Sequence, residues 1–163
     1  MDGLKIPGST AEHEWLNQMI GEWKMEGAAD AGPDNPCMES TGTEIVSSLG
    51  GLWIIGEGEG TMPGGGTAKM RITLGYDSAK QKFIGVWVGS MMTSLWVYEG
   101  ELDAGRTKLT LNTEGPGFKD GIISSYQDII EMKSPDHRTL TSQVQQADGS
   151  WTQFMKADYY RTK

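Results

Sequence analysis

An apolar stripe at helical spacing opens the chain. It consists of Trp15, Leu16, Met19 and Ile20. Ser9-x-x-Glu12 has the spacing of a capping box, and either Ser9 or Thr10 can cap a helix. Gly21 suits the left-handed position at which helices end. The pattern therefore predicts one short N-terminal helix with an apolar face that must dock against the rest of the protein.

From Glu22 onward the pattern alternates with period two, which predicts about ten strands. The predicted strands are 22–28, 40–48, 52–61, 67–76, 82–90, 92–102, 107–113, 122–132, 138–146 and 151–161. Most breaks are short turn sequences such as Asp77-Ser78-Ala79-Lys80. Parallel pairing needs crossovers of about a dozen residues, for which these turns leave no room, so the strands pair antiparallel.

About ten consecutive strands expose two sheet edges unless the sheet closes on itself. We therefore predict an all-β fold, a closed antiparallel up-and-down β-barrel of about ten strands with the helix at one end. A two-sheet sandwich is the alternative. The connection 29–38 is longer than a hairpin needs and carries two prolines, so it is either a lid over one end or a plain surface loop.

Composition narrows the choice of compartment and partner. Lys and Arg number 14 and Asp and Glu 22, a net charge of −8 that disfavours nucleic-acid binding. Cys37 is the single cysteine, so no intramolecular disulfide forms. The first residues lack the apolar core of a signal peptide, and no apolar run approaches the roughly 20 residues of a membrane span. We expect a cytoplasmic protein with a flexible tail at 1–8 and a single domain over 9–163, without nucleic-acid or membrane partners.

The first and last predicted strands carry a tryptophan and an arginine that closure of the barrel would bring together. Gly21-Glu22-Trp23 heads the first strand and Arg161 ends the last. This pair resembles the closing clasp of calycin barrels, which include the lipocalins and the fatty-acid-binding proteins. The resemblance implies an internal pocket and a guanidinium of Arg161 stacked near the indole of Trp23.

From His13 to Arg161 the chain also resembles a bacterial family catalogued as domain of unknown function 1579. The matching segments include His13-Glu14-Trp15-Leu16, Ser48-Leu49-Gly50-Gly51-Leu52-Trp53, Leu95-Trp96-Val97-Tyr98-Glu99-Gly100 and Trp151-Thr152-Gln153-Phe154-Met155. This resemblance implies a lipocalin-like fold and brings no particular activity with it.

Large apolar side chains suggest binding of a small apolar or amphipathic ligand inside the barrel. A wall rich in Met, Trp and Tyr suits a pliable pocket, although ordinary barrel core has the same composition. The residues expected to line the pocket are Trp53, Met70, Trp87, Met91, Trp96, Tyr98 and Tyr126. Arg71 alternates with apolar Met70 and Ile72, which favours a solvated outer charge. If the interior is polar, Arg71 can instead clamp an anionic head group.

Two other functions stay open. An isomerase or cyclase would use a carboxylate that faces the cavity, with Glu57, Glu99 and Asp128 as candidates, although each is more commonly a solvated strand residue. No catalytic residue is assigned. A structural module would form a homodimer through exposed Trp and Met side chains. The strand 82–90 is apolar on both faces, so one face can contact the helix or a second subunit.

Metal and cofactor chemistry finds little support in the sequence. His13 and His137 are the only histidines, and neither lies in a zinc-binding motif. We therefore predict no metal site and no cofactor.

Overall fold

A computed structural model describes residues 3–29, 38–62, 65–117 and 121–163. Within these ranges one helix precedes ten strands. Their bounds are α1 Ala11–Asn17, β1 Gly21–Ala29, β2 Met38–Leu49, β3 Trp53–Thr61, β4 Thr67–Asp77, β5 Lys82–Gly89, β6 Trp96–Leu102, β7 Lys108–Pro116, β8 Ile123–Ser134, β9 His137–Gln145 and β10 Trp151–Arg161.

The strands form a closed barrel. Each strand pairs antiparallel with its neighbour in the chain, and β1 pairs antiparallel with β10 to close the sheet. The predicted all-β up-and-down barrel is confirmed, and the sandwich alternative is wrong. In the described ranges no helix is both long and apolar enough to cross a membrane.

The helix differs from its prediction at both ends. It begins after Thr10, whose backbone N–H donates to Nδ1 of His13 at 2.9 Å, so His13 takes the capping role predicted for Glu12. It ends at Asn17, before Gly21.

The predicted strand 92–102 begins only at Trp96, because the preceding residues run through an exposed connection. The predicted lid at 29–38 lies outside the described residues, apart from Ala29 and the backbone of Met38.

Helix α1 closes one end of the barrel, here called the closed end. The indole of Trp15 donates to the carbonyl of Arg106 at 2.7 Å and meets the ring of Phe83 edge to face. Nε2 of His13 lies 3.1 Å from the carbonyl oxygen of Tyr76. The opposite end is the mouth. The strand ends that border it are Ala29, Met38, Thr61, Thr67, Gly89, Trp96, Pro116, Ile123, Gln145 and Trp151.

The alternation of β3 shows which face points inward. A Cβ on Gly56 would meet Ile72 at 2.9 Å, and one on Gly58 would meet Met70 at 3.1 Å. The glycines therefore face bulky neighbours inside the barrel, and the side chains of Glu57 and Glu59 point outward, more than half exposed. The predicted solvent-facing glutamates are confirmed.

The predicted clasp is confirmed at the closed end. Trp23 and Arg161 are cross-strand partners, and the guanidinium carbon of Arg161 lies 4.3 Å from the Trp23 ring centroid. The guanidinium also donates to the carbonyls of Ile20 at 2.6 Å and Gln18 at 2.7 Å. Gly21 has φ of +141°, and a Cβ there would lie 2.3 Å from Nη1 of Arg161. Glycine at 21 thus makes room for Arg161 rather than ending the helix.

We expect Arg161→Ala to lower the free energy of unfolding by about 1–3 kcal/mol, because it removes a ring stack and leaves helix-end carbonyls without their donor. Arg161→Lys should lose a similar amount, since an ammonium cannot stack and reach both carbonyls together. Urea unfolding measures the difference. Lys156→Ala, at an exposed outward position on the same strand, is the matched control. A loss no larger than that of the control would contradict the structural role of the clasp.

Candidate functional site

The interior is most tightly packed in its closed-end half. Eight inward side chains there, called the sealed core, are each at most 3 % exposed: Trp23, Val46, Ile54, Leu74, Phe83, Leu109, Leu111 and Ile130. Leu16 and Met19 of the helix segment join this core from the closed end, at 1 % and 2 % exposure. Other inward side chains of this half are partly buried and pack against the core, namely Tyr76, Leu102, Met132 and Leu140.

The mouth half is more open. Several side chains that face inward there keep partial exposure, although they lie within strands. They are Met25, Met70, Trp87, Trp96, Val144, Phe154 and Met155. A barrel of about ten strands is wide enough to hold a ligand unless large side chains fill it. The exposure pattern therefore places the accessible part of the interior between the sealed core and the mouth.

A polar cluster lies where the two halves meet. Its members are Tyr98 on β6, Asp128 on β8 and Ser142 on β9. Asp128 and Ser142 are cross-strand partners. The Tyr98 hydroxyl donates to Oδ2 of Asp128, and the Ser142 hydroxyl donates to Oδ1 at 2.6 Å. Asp128 itself keeps partial exposure, whereas Tyr98 is 3 % exposed.

Burial shifts the titration of this cluster. It raises the pKa of the Asp128 carboxyl, an effect that the hydrogen bonds from Ser142 and Tyr98 oppose without cancelling. Burial and the nearby Asp128 carboxylate also raise the pKa of Tyr98 well above its usual value. A carboxyl with a raised pKa beside a neutral tyrosine hydroxyl holds its proton to higher pH than an exposed aspartate does, and it can donate that proton to a bound molecule.

Four aromatic side chains line one side of the mouth half and are called the aromatic collar. They are Trp87, Trp96, Tyr126 and Phe154. Trp87 and Trp96 are cross-strand partners. The rings of Trp96 and Tyr126 meet edge to face at 5.1 Å, and Tyr126 meets Phe154 in the same way at 5.9 Å. The collar therefore offers flat apolar surfaces on the mouth side of the polar cluster.

A buried ion pair occupies the other side of the interior. The Arg138 guanidinium donates to Oε1 of Glu44, and both residues are under 9 % exposed. The Arg138 guanidinium carbon lies 4.0 Å from the ring centroid of Tyr159 and 4.7 Å from that of Trp23, so it stacks on both rings. Nε of Arg138 is buried without a hydrogen-bond partner among the described residues. The charges of Arg138 and Glu44 therefore neutralise each other, and the Arg138 guanidinium is held against the ring of Trp23.

The structure brings five of the predicted pocket residues into the interior. They are Met70, Trp87, Trp96, Tyr98 and Tyr126, all on the inward face of their strands. Met91 lies in the connection after β5, with its sulfur 2.5 Å from the place that a Cβ on Gly89 would take. It is therefore a residue of the mouth rim.

Two predicted pocket residues lie on the outer face instead, so their expected interior placement is wrong. Trp53 packs its ring over its cross-strand partner Gly75, where a Cβ would meet the ring at 2.4 Å. Arg71 forms an exposed ion pair with Glu57. The preferred interpretation of Arg71 as an outer charge is thereby confirmed. Glu99 also points outward and is exposed.

Asp128 corrects the prediction in the other direction. Sequence favoured a solvated strand face, whereas the structure turns this side chain inward beside Tyr98. Sequence reasoning missed Ser142, Glu44 and Arg138 entirely. The available signal was the shared parity of Tyr126, Asp128 and Ile130, which places Asp128 on the face of two large core residues.

The outer surface carries a concavity of its own. A groove of about 990 Å³ runs across β5 and its neighbours, floored by Val86 and Val97 and flanked by Trp53, Glu99 and Glu114. Polar side chains such as Asn112 and Ser125 also line this groove, but the buried carboxyl of Asp128 lies in the interior. Within the described ranges no three His, Cys, Asp or Glu side chains lie close enough together to hold a metal ion.

The barrel topology and the site define a closed ten-stranded β-barrel with an internal polar cluster. The family matched over residues 8–161 is DUF1579, described as a protein of unknown function, and the chain belongs to it. No curated protein matches the chain.

Solved structures show the same fold at low sequence identity. Rv2717c from M. tuberculosis is 12 % identical, with a TM-score of 0.62 over 94 % of this chain and 99 % of that one. The redesigned beta barrel mFAP0, bound to DFHBI, is 13 % identical with a TM-score of 0.50 over 88 % and 99 % of the two chains. EF1p2_mFAP2b, also bound to DFHBI, is 11 % identical with a TM-score of 0.50 over 92 % and 98 %.

The ion pair yields a stability prediction. Glu44→Gln should lower the free energy of unfolding by about 3–5 kcal/mol, because it leaves the Arg138 charge buried without a partner. Glu57→Gln breaks an exposed ion pair and should cost less than about 1 kcal/mol. Chemical denaturation compares the two variants. Adding Arg138→Met to Glu44→Gln should recover part of the loss, and equal losses for Glu44→Gln and Glu57→Gln would contradict the buried pair.

Asp128 yields a prediction on pH. Its folded-state pKa is raised, so the folded protein holds this proton more firmly than the unfolded chain does. The Asp128 contribution to stability is therefore lost as pH rises through the folded pKa. Asp128→Asn lacks this loss, so its melting temperature relative to the unmodified protein should rise between about pH 4.5 and pH 8. A relative melting temperature that falls over this range would show that burial does not dominate the titration of Asp128.

Proposed function

We propose that this barrel binds a small apolar or amphipathic molecule in the mouth half of its interior. The observation that carries the proposal is the contrast between the two halves. Eight core side chains at the closed end are at most 3 % exposed, whereas seven inward side chains near the mouth keep partial exposure beside the buried Ala68 and Tyr126. The aromatic collar supplies the apolar wall, and the Tyr98–Asp128–Ser142 cluster supplies the few polar groups that orient a ligand. Binding of DFHBI by related barrel shapes fits this proposal.

Reactivity is a second candidate. A largely buried Asp128 in contact with the hydroxyl of Tyr98 is a suitable acid–base group for an isomerisation or cyclisation within an enclosed pocket. Glu57 and Glu99, the other carboxylates considered, point outward and contribute nothing to such a reaction. Asp128 is thus the single group on which this candidate depends.

Dimerisation through the outer face is a third candidate. Val88, Leu95 and Val97 are exposed apolar residues on or beside the groove, and a second copy of the chain would cover them.

We place the protein among the calycins and in the bacterial cytoplasm, with residues 9–163 as one folding unit behind a short tail. The single cysteine, which leaves no intramolecular disulfide to form, fits that location.

Dye binding tests the interior proposal. Nile red, a neutral apolar dye, should bind with increased emission and should quench tryptophan fluorescence, because Trp87 and Trp96 lie on the inner wall. Val144→Trp fills the inward position opposite Tyr126 and should weaken Nile red binding by about tenfold or more. Fluorescence titration measures both effects.

The matched control is Thr141→Trp, which adds the same ring on the outward face of the same strand and should leave dye binding unchanged. Val97→Glu places a charge in the outer groove. If Val97→Glu abolishes Nile red binding while Val144→Trp has no effect, the dye occupies the outer groove and the interior proposal is wrong.

A further inference from the structure

We propose that the ligand carries a cationic amine, and that Asp128 is its anchor inside the barrel. The inference rests on the proposed function, because it names the chemical class of the molecule held at that same interior site. It comes from the charges, the free acceptor positions and the aromatic surfaces that surround Asp128.

The interior charges do not balance. Between the closed end and the mouth, the charged side chains that face inward among the described residues are Glu44, Asp128 and Arg138. Glu44 and Arg138 neutralise each other directly. No Lys, Arg or His of the described chain forms an ion pair with Asp128, whose neighbours are two neutral hydroxyls. A buried carboxylate without a cation is unfavourable, so a positive charge supplied by a ligand would be strongly bound.

The Asp128 carboxylate has acceptor positions left over. A carboxylate offers about four lone-pair sites, and the described residues occupy two of them, one on each oxygen, through the hydroxyls of Tyr98 and Ser142. An ammonium group brings up to three N–H donors and the missing charge together. Asp128 keeps partial exposure as a residue, and its side chain lies on the inward face of β8 beside Tyr126 and the mouth half.

The aromatic collar suits the same ligand. Tyr126 lies two residues along β8 from Asp128 toward the mouth, a distance of roughly 7 Å at the usual rise of a strand. Ring faces attract cations and pack well against alkyl or aryl groups. A molecule with an amine at Asp128 and an apolar body against Trp87, Trp96 and Tyr126 would therefore satisfy both zones. An anionic head group would meet the carboxylate of Asp128, while the inward guanidinium of Arg138 is already paired with Glu44.

Titration should report the contact. The groups that face Asp128 are Tyr98 from β6, Ser142 from β9 and Tyr159 from β10, with Glu44 and Arg138 beyond them. The two tyrosines have raised pKa values and stay neutral. An ammonium binds the ionised carboxylate, and burial raises the pKa of Asp128. Affinity for an amine should therefore increase with pH as long as the amine stays protonated.

Three molecules of equal chain length test the proposal: decylamine, decanol and decanoate, each used below its micelle concentration to displace Nile red. At about pH 7.5 we expect decylamine to displace the dye at a concentration about tenfold or more lower than decanol, with decanoate weakest. Decylamine affinity should rise from about pH 5 to pH 8, and decanol affinity should stay constant. Asp128→Asn should remove the amine preference and the pH dependence, both measured as the ratio of decylamine affinity to decanol affinity within that variant.

The matched control is Glu99→Gln, which makes the same charge change on the outer face. Because the net charge of −8 attracts any cation, a drop in decylamine affinity that Glu99→Gln reproduces would overturn the inference. Decylamine that binds no better than decanol would also overturn it, with the proposed function intact if Nile red still binds the interior. Failure of Nile red to respond to Val144→Trp would instead remove the proposed function itself. Should Asp128→Asn not fold, the pH profiles of the unmodified protein decide the question alone.

Discussion

Pairing of β1 with β10 is the constraint on which the rest of this barrel depends. Side chains alternate with period two, so a slip of one residue anywhere in a closed sheet would exchange the inner and outer faces. The Trp23–Arg161 pair fixes the register at the seam, because its guanidinium also binds the end of the helix segment. The pairing register of each strand with the next then fixes which of its side chains face inward, from β1 through β10 and β9 to Asp128 on β8. The clasp therefore determines which polar groups the interior contains.

The sequence predicts the architecture well because turn chemistry and alternation are local signals. Ten strands, their order and the clasp follow from short patterns around Gly21, Trp23 and Arg161 together with the tight turns. The orientation of individual strands is harder to predict where both faces have similar polarity. Strand β5 is apolar on both sides, and β3 places Trp53 outside with glycines inside. Such strands break the usual rule that the larger apolar side chains point inward.

The candidate site was hard to predict for a related reason. Asp128, Glu44 and Arg138 are charged residues in an interior, where sequence reasoning expects apolar ones. Their partners lie on other strands, 94 positions away in the case of Glu44 and Arg138. Only the register of the closed barrel brings them together. The same holds for Ser142, an ordinary strand serine until the pairing of β8 with β9 places it beside Asp128.

The two buried acids of the interior differ in a way that bears on function. Glu44 has its cation, and its partner Arg138 is wedged between Trp23 and Tyr159, so this pair belongs to the framework. Asp128 has hydroxyl donors and no cation, which leaves it less stable as a carboxylate. Proteins tolerate such groups mainly where they bind or react.

An open groove of about 990 Å³ lies elsewhere, on the outer face, yet its volume is a weaker argument than the chemistry of the interior. A binding site needs converging polar groups as well as space, and in this barrel those groups converge on Asp128. The sealed core beneath them supplies the packing that offsets the cost of keeping that carboxyl away from water. The closed end thus supplies most of the packing that stabilises the barrel. The interior can therefore keep the Asp128 carboxylate without a cation of its own, and a cationic ligand would neutralise it.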